Sequence, residues 1–253
     1  VQRSKGVSSV QFPFWQRYNP RVNKITIFRH AAHEGPGYFA DFLDRKGIGH
    51  RLIRVDCDDP IPESLDGISG LVFMGGPMSV NDPLPWIPKL TRLIQQAIAA
   101  DVPVLGHCLG GQLMAKALCA SITRNPVKEI GWFPVTVVES GESREWFRDL
   151  PSTFVAYHWH GETFAIPKGA TRVLASADCA NQGFAVGKHL ALQCHVEMTP
   201  QLIASWVDET DGELKPSRTV QSGAEMLRDA PRRTQEMHRI ADVLYERWIQ
   251  GLR

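Results

Sequence analysis

Val104-Leu105-Gly106-His107-Cys108-Leu109-Gly110-Gly111-Gln112 decides the fold of this chain. It starts as a short apolar run, the pattern of a strand buried on both faces of a parallel sheet. It passes without a linker into LGGQLMAKALCA (Leu109–Ala120), which reads as a helix. The same alternation extends upstream. KITIFR (Lys24–Arg29) precedes an amphipathic stretch from Tyr38 to Lys46, and RLIRVD (Arg51–Asp56) precedes a loop holding Asp58, Asp59, Pro60 and Pro62. GLVFMGG (Gly70–Gly76) precedes a helical stretch from Ile87 to Ala100 with Leu90, Leu93, Ile94, Ala97 and Ile98 on one face, and then comes VPVLGH (Val102–His107). Strands and helices alternating at this spacing build βαβ units on a parallel sheet.

Downstream the pattern changes. WFPVTVVE (Trp132–Glu139), TFVAYHW (Thr153–Trp159), RVLASA (Arg172–Ala177), GFAVG (Gly183–Gly187) and LALQCH (Leu190–His195) are strand-like. Their separations are short, so several should pair antiparallel. Thr199–Val207 and Gly223–Ile249 read as helices, joined through a polar loop over Asp208–Arg218. The expected organisation is an irregular extension over residues 1–22 and one domain over 23–253.

The chain has 253 residues, with 28 Lys and Arg against 27 Asp and Glu. A net charge of +1 excludes a nucleic-acid binder working by bulk charge and an acidic disordered chain. No apolar run reaches the roughly 18–20 residues of a membrane helix, and Val1–Arg21 has no apolar core of a secretory leader. The five cysteines, Cys57, Cys108, Cys119, Cys179 and Cys194, are odd in number and form no CxxC pair, so a reduced, cytoplasmic protein is expected.

A lone cysteine reads first as a small buried hydrophobe, and Cys57, Cys119, Cys179 and Cys194 are read so. Cys108 differs. It sits where an apolar strand turns sharply into a helix, among glycines that a tight backbone requires. The helix N-terminus beside the sulfur favours a thiolate, and the Leu109 N–H can donate to a developing oxyanion. The base a nucleophile needs is supplied by Gln193-Cys194-His195-Val196-Glu197. Residues two apart on an extended chain share a side, so Glu197 can hold one ring nitrogen of His195 while the other turns to Cys108.

With these residues the chain resembles the class I, triad-type glutamine amidotransferases, in particular the stand-alone domains similar to GMP synthase. The resemblance runs from about Lys24 to Trp206. It rests on Gly106–Gln112, on Gln193–Glu197, and on Phe73-Met74-Gly75-Gly76-Pro77-Met78, which matches the family's oxyanion loop. It implies a flavodoxin-like three-layer α/β sandwich with a mixed, mostly parallel central sheet. It implies a Cys108–His195–Glu197 triad, an oxyanion hole of the Gly76 and Leu109 N–H groups, and Gln112 holding the substrate. Trp159, Gly161 and Glu162, in Tyr157-His158-Trp159-His160-Gly161-Glu162, would line the pocket.

The activity so implied is hydrolysis of L-glutamine to glutamate and ammonia through a cysteine thioester, with no cofactor. Hydrolysis of a γ-glutamyl peptide or amine uses the same chemistry and stays open, as does a non-catalytic regulatory or binding subunit. No Ser-Gly-Gly or Walker-type phosphate loop is present, so a separate acceptor or synthetase subunit would have to use the ammonia. No nucleic-acid or membrane partner is expected.

Several residues depart from the family pattern or fall outside it. His107 replaces a small or apolar residue and is read as pointing away into the sheet, and Val196 replaces a common proline. His158 and His160 could be two metal ligands, but no third is evident, so no metal is expected. His30 and His33 read as solvated loop residues at the ligand-binding edge of the sheet, and Pro36 as part of a first helical turn. Glu129-Ile130-Gly131-Trp132 reads as structural. Trp15, Tyr18 and Trp86 read as loop aromatics, and RDAPRR (Arg228–Arg233) as a solvated helix boundary.

Overall fold

The computed structural model describes residues 24–210 and 214–252. The extension expected over 1–22, with Trp15 and Tyr18, lies outside the described residues. The chain forms β1 (Lys24–Arg29), α1 (Tyr38–Lys46), β2 (His50–Arg54), β3 (Ile68–Phe73), α2 (Ile87–Ala99), β4 (Val104–His107) and α3 (Leu109–Ala117). Then follow β5 (Ile122–Val137), α4 (Gly141–Phe147), β6 (Thr153–Phe164), β7 (Thr171–Ala175), β8 (Gly183–Val186) and β9 (His189–Leu192). Three helices close the fold: α5 (Pro200–Glu209), α6 (Gly223–Leu227) and α7 (Ala230–Ile249).

One mixed sheet has the order β2-β1-β3-β4-β9-β8-β7-β5-β6. The pairs from β2 to β9 are parallel and those from β9 to β6 are antiparallel. Alternate residues feed two cores. Ile25, Ile27, Val72 and Leu105 face the layer holding α1, α5 and α7, whereas Phe28, Phe73 and Val104 face α2 and α3. This is the flavodoxin-like three-layer sandwich expected. No helix of the described residues is long and apolar enough to cross a membrane.

Several boundaries differ from the sequence reading. β5 begins ten residues before Trp132, because its first half pairs with the end of β6 despite the polar run Thr123–Lys128 and Pro126; the register shifts between Arg124 and Glu129. α4 has a weak apolar period and was not expected; Ser140 and Ser143 cap its start reciprocally. The helix expected over Gly223–Ile249 breaks at Arg228 and Asp229, where Asp229 turns left-handed (φ 56°). Cys57 and Cys119 are exposed rather than buried: Cys57 ends the short turn after β2, and Cys119 lies just past the end of α3.

Pro36 precedes the helix instead of joining it. Gly37 caps α1 at φ 49°, and a Cβ there would stand 2.4 Å from the Glu197 carbonyl oxygen. The Tyr38 N–H donates to that same oxygen at 2.9 Å. The start of α1 is thereby tied to the strand end that carries His195 and Glu197.

The start of α3 is pressed against the sheet equally closely. A Cβ on Gly110 would lie 2.1 Å from the Phe73 carbonyl oxygen, a backbone atom that cannot swing aside. Alanine in a helix interior normally gains about 1 kcal/mol over glycine, but overpacking costs about 1–3 kcal/mol. Gly110→Ala is therefore expected to lower unfolding stability by about 2 kcal/mol in a denaturant titration. Gly35→Ala, with open space around the new methyl group, should change it by less than about 0.5 kcal/mol; equal effects of the two would contradict this account.

Candidate active site

β4 and β9 are parallel neighbours, with His107 opposite Leu192, so the residues that follow both strands meet at one carboxyl edge. Cys108 is the hinge between β4 and α3. Its backbone adopts φ 50°, ψ −106°, a sparsely populated region for a residue with a side chain. The conformation is held by the Cys108 N–H, which donates to the Leu192 carbonyl at 2.8 Å. The thiol thus stands at the first turn of α3, where the amides lack intrahelical acceptors.

Beyond β9 the chain bends on either side of His195, which is clamped to Tyr157 by reciprocal backbone hydrogen bonds of 2.8 and 3.2 Å. Glu197 Oε1 lies 2.6 Å from His195 Nδ1, and Glu197 Oε2 accepts the Val196 N–H at 2.9 Å. Burial favours neutral forms of both groups. For Glu197, the His107 and His195 imidazoles outweigh burial and hold its carboxyl down to about 2. For His195, burial is outweighed by Glu197 and by the adjacent Cys108, which carry its pKa well above the usual histidine range. Nδ1 therefore donates to the carboxylate. The three residues predicted from the sequence come together, with the Trp206 indole packed edge-on against the imidazole at 5.0 Å.

The cleft in front of Cys108 has a volume of about 840 Å³. Gly76, Gln112, Trp159, Gly161 and Glu162, all singled out in the sequence, line it. Leu109, also singled out, is not among the lining residues, and its side chain is buried in the core. Arg124 and Lys128 line the side that Glu162 occupies, because Arg124 pairs with Glu162 across β5 and β6. His33, Glu34, Trp206 and Glu209 line the cleft as a linked group. Trp206 Nε1 donates to the His33 carbonyl at 2.8 Å, and His33 Nδ1 lies 2.6 Å from Glu209.

Four residues near the site have roles that the sequence reading missed or misplaced. Gln193 Nε2 donates toward the Cys108 sulfur at 3.5 Å, and its Oε1 accepts from Gln112 at 3.2 Å. Its signal was available in the short spacing within Gln193–Glu197. His107 is buried and directed away from the thiol, as read, but it has specific partners there: its Nε2 is 3.7 Å from Glu197 and 3.3 Å from the Tyr245 hydroxyl, so it faces the buried carboxylate. His30 is buried rather than solvated. Burial pushes its pKa to about 4, so it is neutral, and Nδ1 reaches the Met74 and Gly75 carbonyls at 3.1 and 3.2 Å. It thereby fixes the loop that presents the Gly76 amide, and Trp86 stacks on its ring. The fourth is Glu34, a carboxyl lining the cleft.

The His158/His160 pair acquires neighbours that the linear sequence hides. Glu129, His160 and Cys179 place candidate ligand atoms within 4.8 Å of one another. Among the described residues these three could hold a metal. They are already linked as a polar cluster: Glu129 accepts from Ser176 and Gln182, each at 2.7 Å, and lies 3.1 Å from His160 Nε2. Glu129, read as structural, buttresses the pocket strand β6 through that contact.

Glu34 is 9% exposed and accepts no hydrogen bond from the described residues. Burial raises its pKa to about 7, with Glu197 and Glu209 adding repulsion and His195 opposing it. The folded state thus holds this proton between about pH 4.5 and 7 while the unfolded chain releases it, and stability falls as pH rises through that window. Glu34→Gln removes the penalty. The variant is expected to gain about 2 kcal/mol more unfolding free energy at pH 8 than at pH 5, measured by denaturant titration. A pH-independent effect would contradict the assignment.

Comparison with known proteins agrees with this architecture. The class-I glutamine amidotransferase family profile matches residues 43–205. A putative glutamine amidotransferase-like protein, YfeJ, of Salmonella typhimurium is 30% identical over 80% of this chain and 89% of its own length. Gamma-glutamyl peptidase 3 of Arabidopsis thaliana is 28% identical over 68% of this chain and 73% of its own. The crystal structure of a glutamine amidotransferase from Methylobacillus flagellatus superimposes with a TM-score of 0.87 at 41% identity, covering 92% of this chain and 96% of that one. This chain belongs to the class-I glutamine amidotransferase family.

Proposed function

We propose that the protein hydrolyses the γ-amide of L-glutamine, releasing glutamate and ammonia, with Cys108, His195 and Glu197 as the catalytic triad. The observation that carries this reading is the 2.6 Å contact between His195 Nδ1 and Glu197, which leaves Nε2 toward a thiol held at a strained helix start. The Cys108 sulfur attacks the amide carbon, forming the C–S bond. Its proton goes to His195, and charge collects on the carbonyl oxygen between the Gly76 and Leu109 amides. Collapse breaks the C–N bond as His195 returns the proton to the leaving nitrogen. Water, deprotonated by the same imidazole, then cleaves the thioester. Each oxyanion donor contributes roughly 3–4 kcal/mol in comparable sites.

The glutamyl end suits the side of the cleft lined by Gln112, Gly161, Glu162, Arg124 and Lys128, which offers cations to the α-carboxylate and an acid to the α-ammonium. Trp159 closes this side, and its carbonyl lies 3.9 Å from the Cys108 sulfur. Ammonia used in synthesis would pass to a separate acceptor or synthetase subunit.

A second reading is supported by the size of the cleft. Its 840 Å³ falls in the range of roughly 300–1,000 Å³ that holds drug-sized ligands, which leaves room for a leaving group larger than ammonia. The likeness to a γ-glutamyl peptidase supports the same reading.

Glutamate release by the purified protein tests both. Cys108→Ala is expected to reduce turnover to background. Glu197→Gln should lower kcat by roughly 10⁴-fold, less than Cys108→Ala, because the carboxylate orients the base without reacting. Retained turnover in Cys108→Ala would remove the thioester. Silence of the unaltered protein on glutamine and on γ-glutamyl compounds would favour a regulatory or binding subunit.

A further inference from the structure

The cleft continues past the triad on the side where the leaving group must depart. The leaving nitrogen receives its proton from His195, so whatever is attached to that nitrogen lies beside the imidazole. The wall there is Glu34. A methyl group placed on Gly75 would stand 2.3 Å from Glu34 Oε2 and 3.1 Å from His195 Cε1, which puts the carboxyl and the imidazole side by side against the same backbone. Trp206 packs on the imidazole from another direction and links through His33 to Glu209.

The Glu34 carboxyl makes no hydrogen bond within the described residues and the residue is nine-tenths buried, yet it lines the cleft. A buried carboxyl without donors is costly unless something that enters the cleft supplies them. The catalytic chemistry does not use it, and the cations of the cleft, Arg124 and Lys128, belong to the opposite, β5 side.

We infer that Glu34 makes this end of the cleft a leaving-group subsite selective for γ-glutamyl amines over γ-glutamyl peptides. The inference rests on the hydrolase reading above and names its substrate class. In a γ-glutamyl amine the leaving nitrogen offers an N–H for Glu34 to accept, and its alkyl carbons pack on Trp206. In a γ-glutamyl peptide the carbon next to that nitrogen carries a carboxylate, which would meet Glu34 beside an imidazole already paired with Glu197, at a wall that no Lys or Arg of the described residues lines. Like charges in a shared dry site cannot both stay ionised. The raised pKa of Glu34 supports this physically, since a second carboxylate would force it further from ionisation. The step itself is unchanged: the C–N bond breaks, the C–S bond forms, and the free amine leaves with the proton from His195.

A matched pair of compounds tests the subsite. γ-L-Glutamylethylamide and γ-L-glutamylglycine have leaving groups of the same length and differ in a methyl against a carboxylate. At pH 8 the ethylamide is expected to have a kcat/KM at least tenfold higher. Glu34→Gln should shrink that ratio by tenfold or more, whatever it does to the absolute rates, and Glu34→Asp should keep most of it. A ratio near or below one in the unaltered protein overturns the inference, as does a ratio that Glu34→Gln leaves unchanged.

Binding separates this failure from failure of the hydrolase reading. If neither compound nor glutamine is turned over, that reading falls, and calorimetric titration of Cys108→Ala with the pair still decides the subsite. Tenfold tighter binding of the ethylamide supports it; equal binding, or none, overturns it.

Discussion

The carboxylate of Glu197 is ionised in a fully buried position, and the rest of the site is arranged around that charge. A buried anion is tolerated only when its oxygens are met by donors and opposite partial charges. The Val196 N–H meets one oxygen, the His195 imidazole meets the other, and His107 faces the pair from β4. These partners have separate origins in the chain: the strand end itself, and the last residue before the nucleophile. The same strand end accepts the first amide of α1 through the Glu197 carbonyl. Holding one charge therefore holds the base, its tautomer and the neighbouring helix together. It also gives His107 a physical reason to be there: its buried ring nitrogen faces Glu197 and the Tyr245 hydroxyl.

Two carboxyl groups flank His195, and their environments push them apart. Glu197 has donors and sits at about 2; Glu34 has none and sits at about 7. Divergent pKa values for neighbouring acids mark a division of labour. Here the well-solvated charge, in the sense of protein dipoles, belongs to the group that must stay fixed. The poorly solvated one faces the open cleft, where a substrate can complete its hydrogen bonding. A group left unsatisfied by the fold lowers stability in the free protein, and such costs collect where ligands bind.

The parallel half of the fold was legible because its strands are continuous apolar runs and its helices have a clear period. LVFM and VPVL read as buried strands, and Leu71–Phe73 and Val104–Leu105 are, with Met74, Val102 and Pro103 just outside them. The meeting of Cys108, His195 and Glu197 was legible for a similar local reason: a sharp turn among glycines, and the short spacing within Gln193–Glu197. What was hidden depends on distant pairing. The first half of β5 is polar and acquires strand geometry only from β6, some forty residues on. His30 looks like any loop histidine until the Met74 and Gly75 carbonyls close over it. Glu34 and Glu129 are ordinary acids in the linear sequence, and only burial against His195 or His160 makes them unusual. The sequence resemblance located the motifs and gave these residues no role, since their surroundings are assembled by the whole sheet.

β9 joins two halves of the sheet that differ in character, one parallel and one antiparallel. Against β4 it is parallel, which is why Cys108 after one strand and His195 after the other arrive at the same edge. Against β8 it is antiparallel, and the antiparallel strands continue outward to β5 and β6. Those two long strands rise beside the edge and carry Arg124, Lys128, Trp159 and Glu162 into the cleft. Cys108 and His195 therefore follow short, fully buried strands, and shifting them would disturb two cores at once. The substrate wall is placed by a ribbon at the margin of the sheet, where residues can change with little effect on the triad. The leaving-group side has a third origin, the loop after β1 and the helix α5, so its selectivity can vary independently of both.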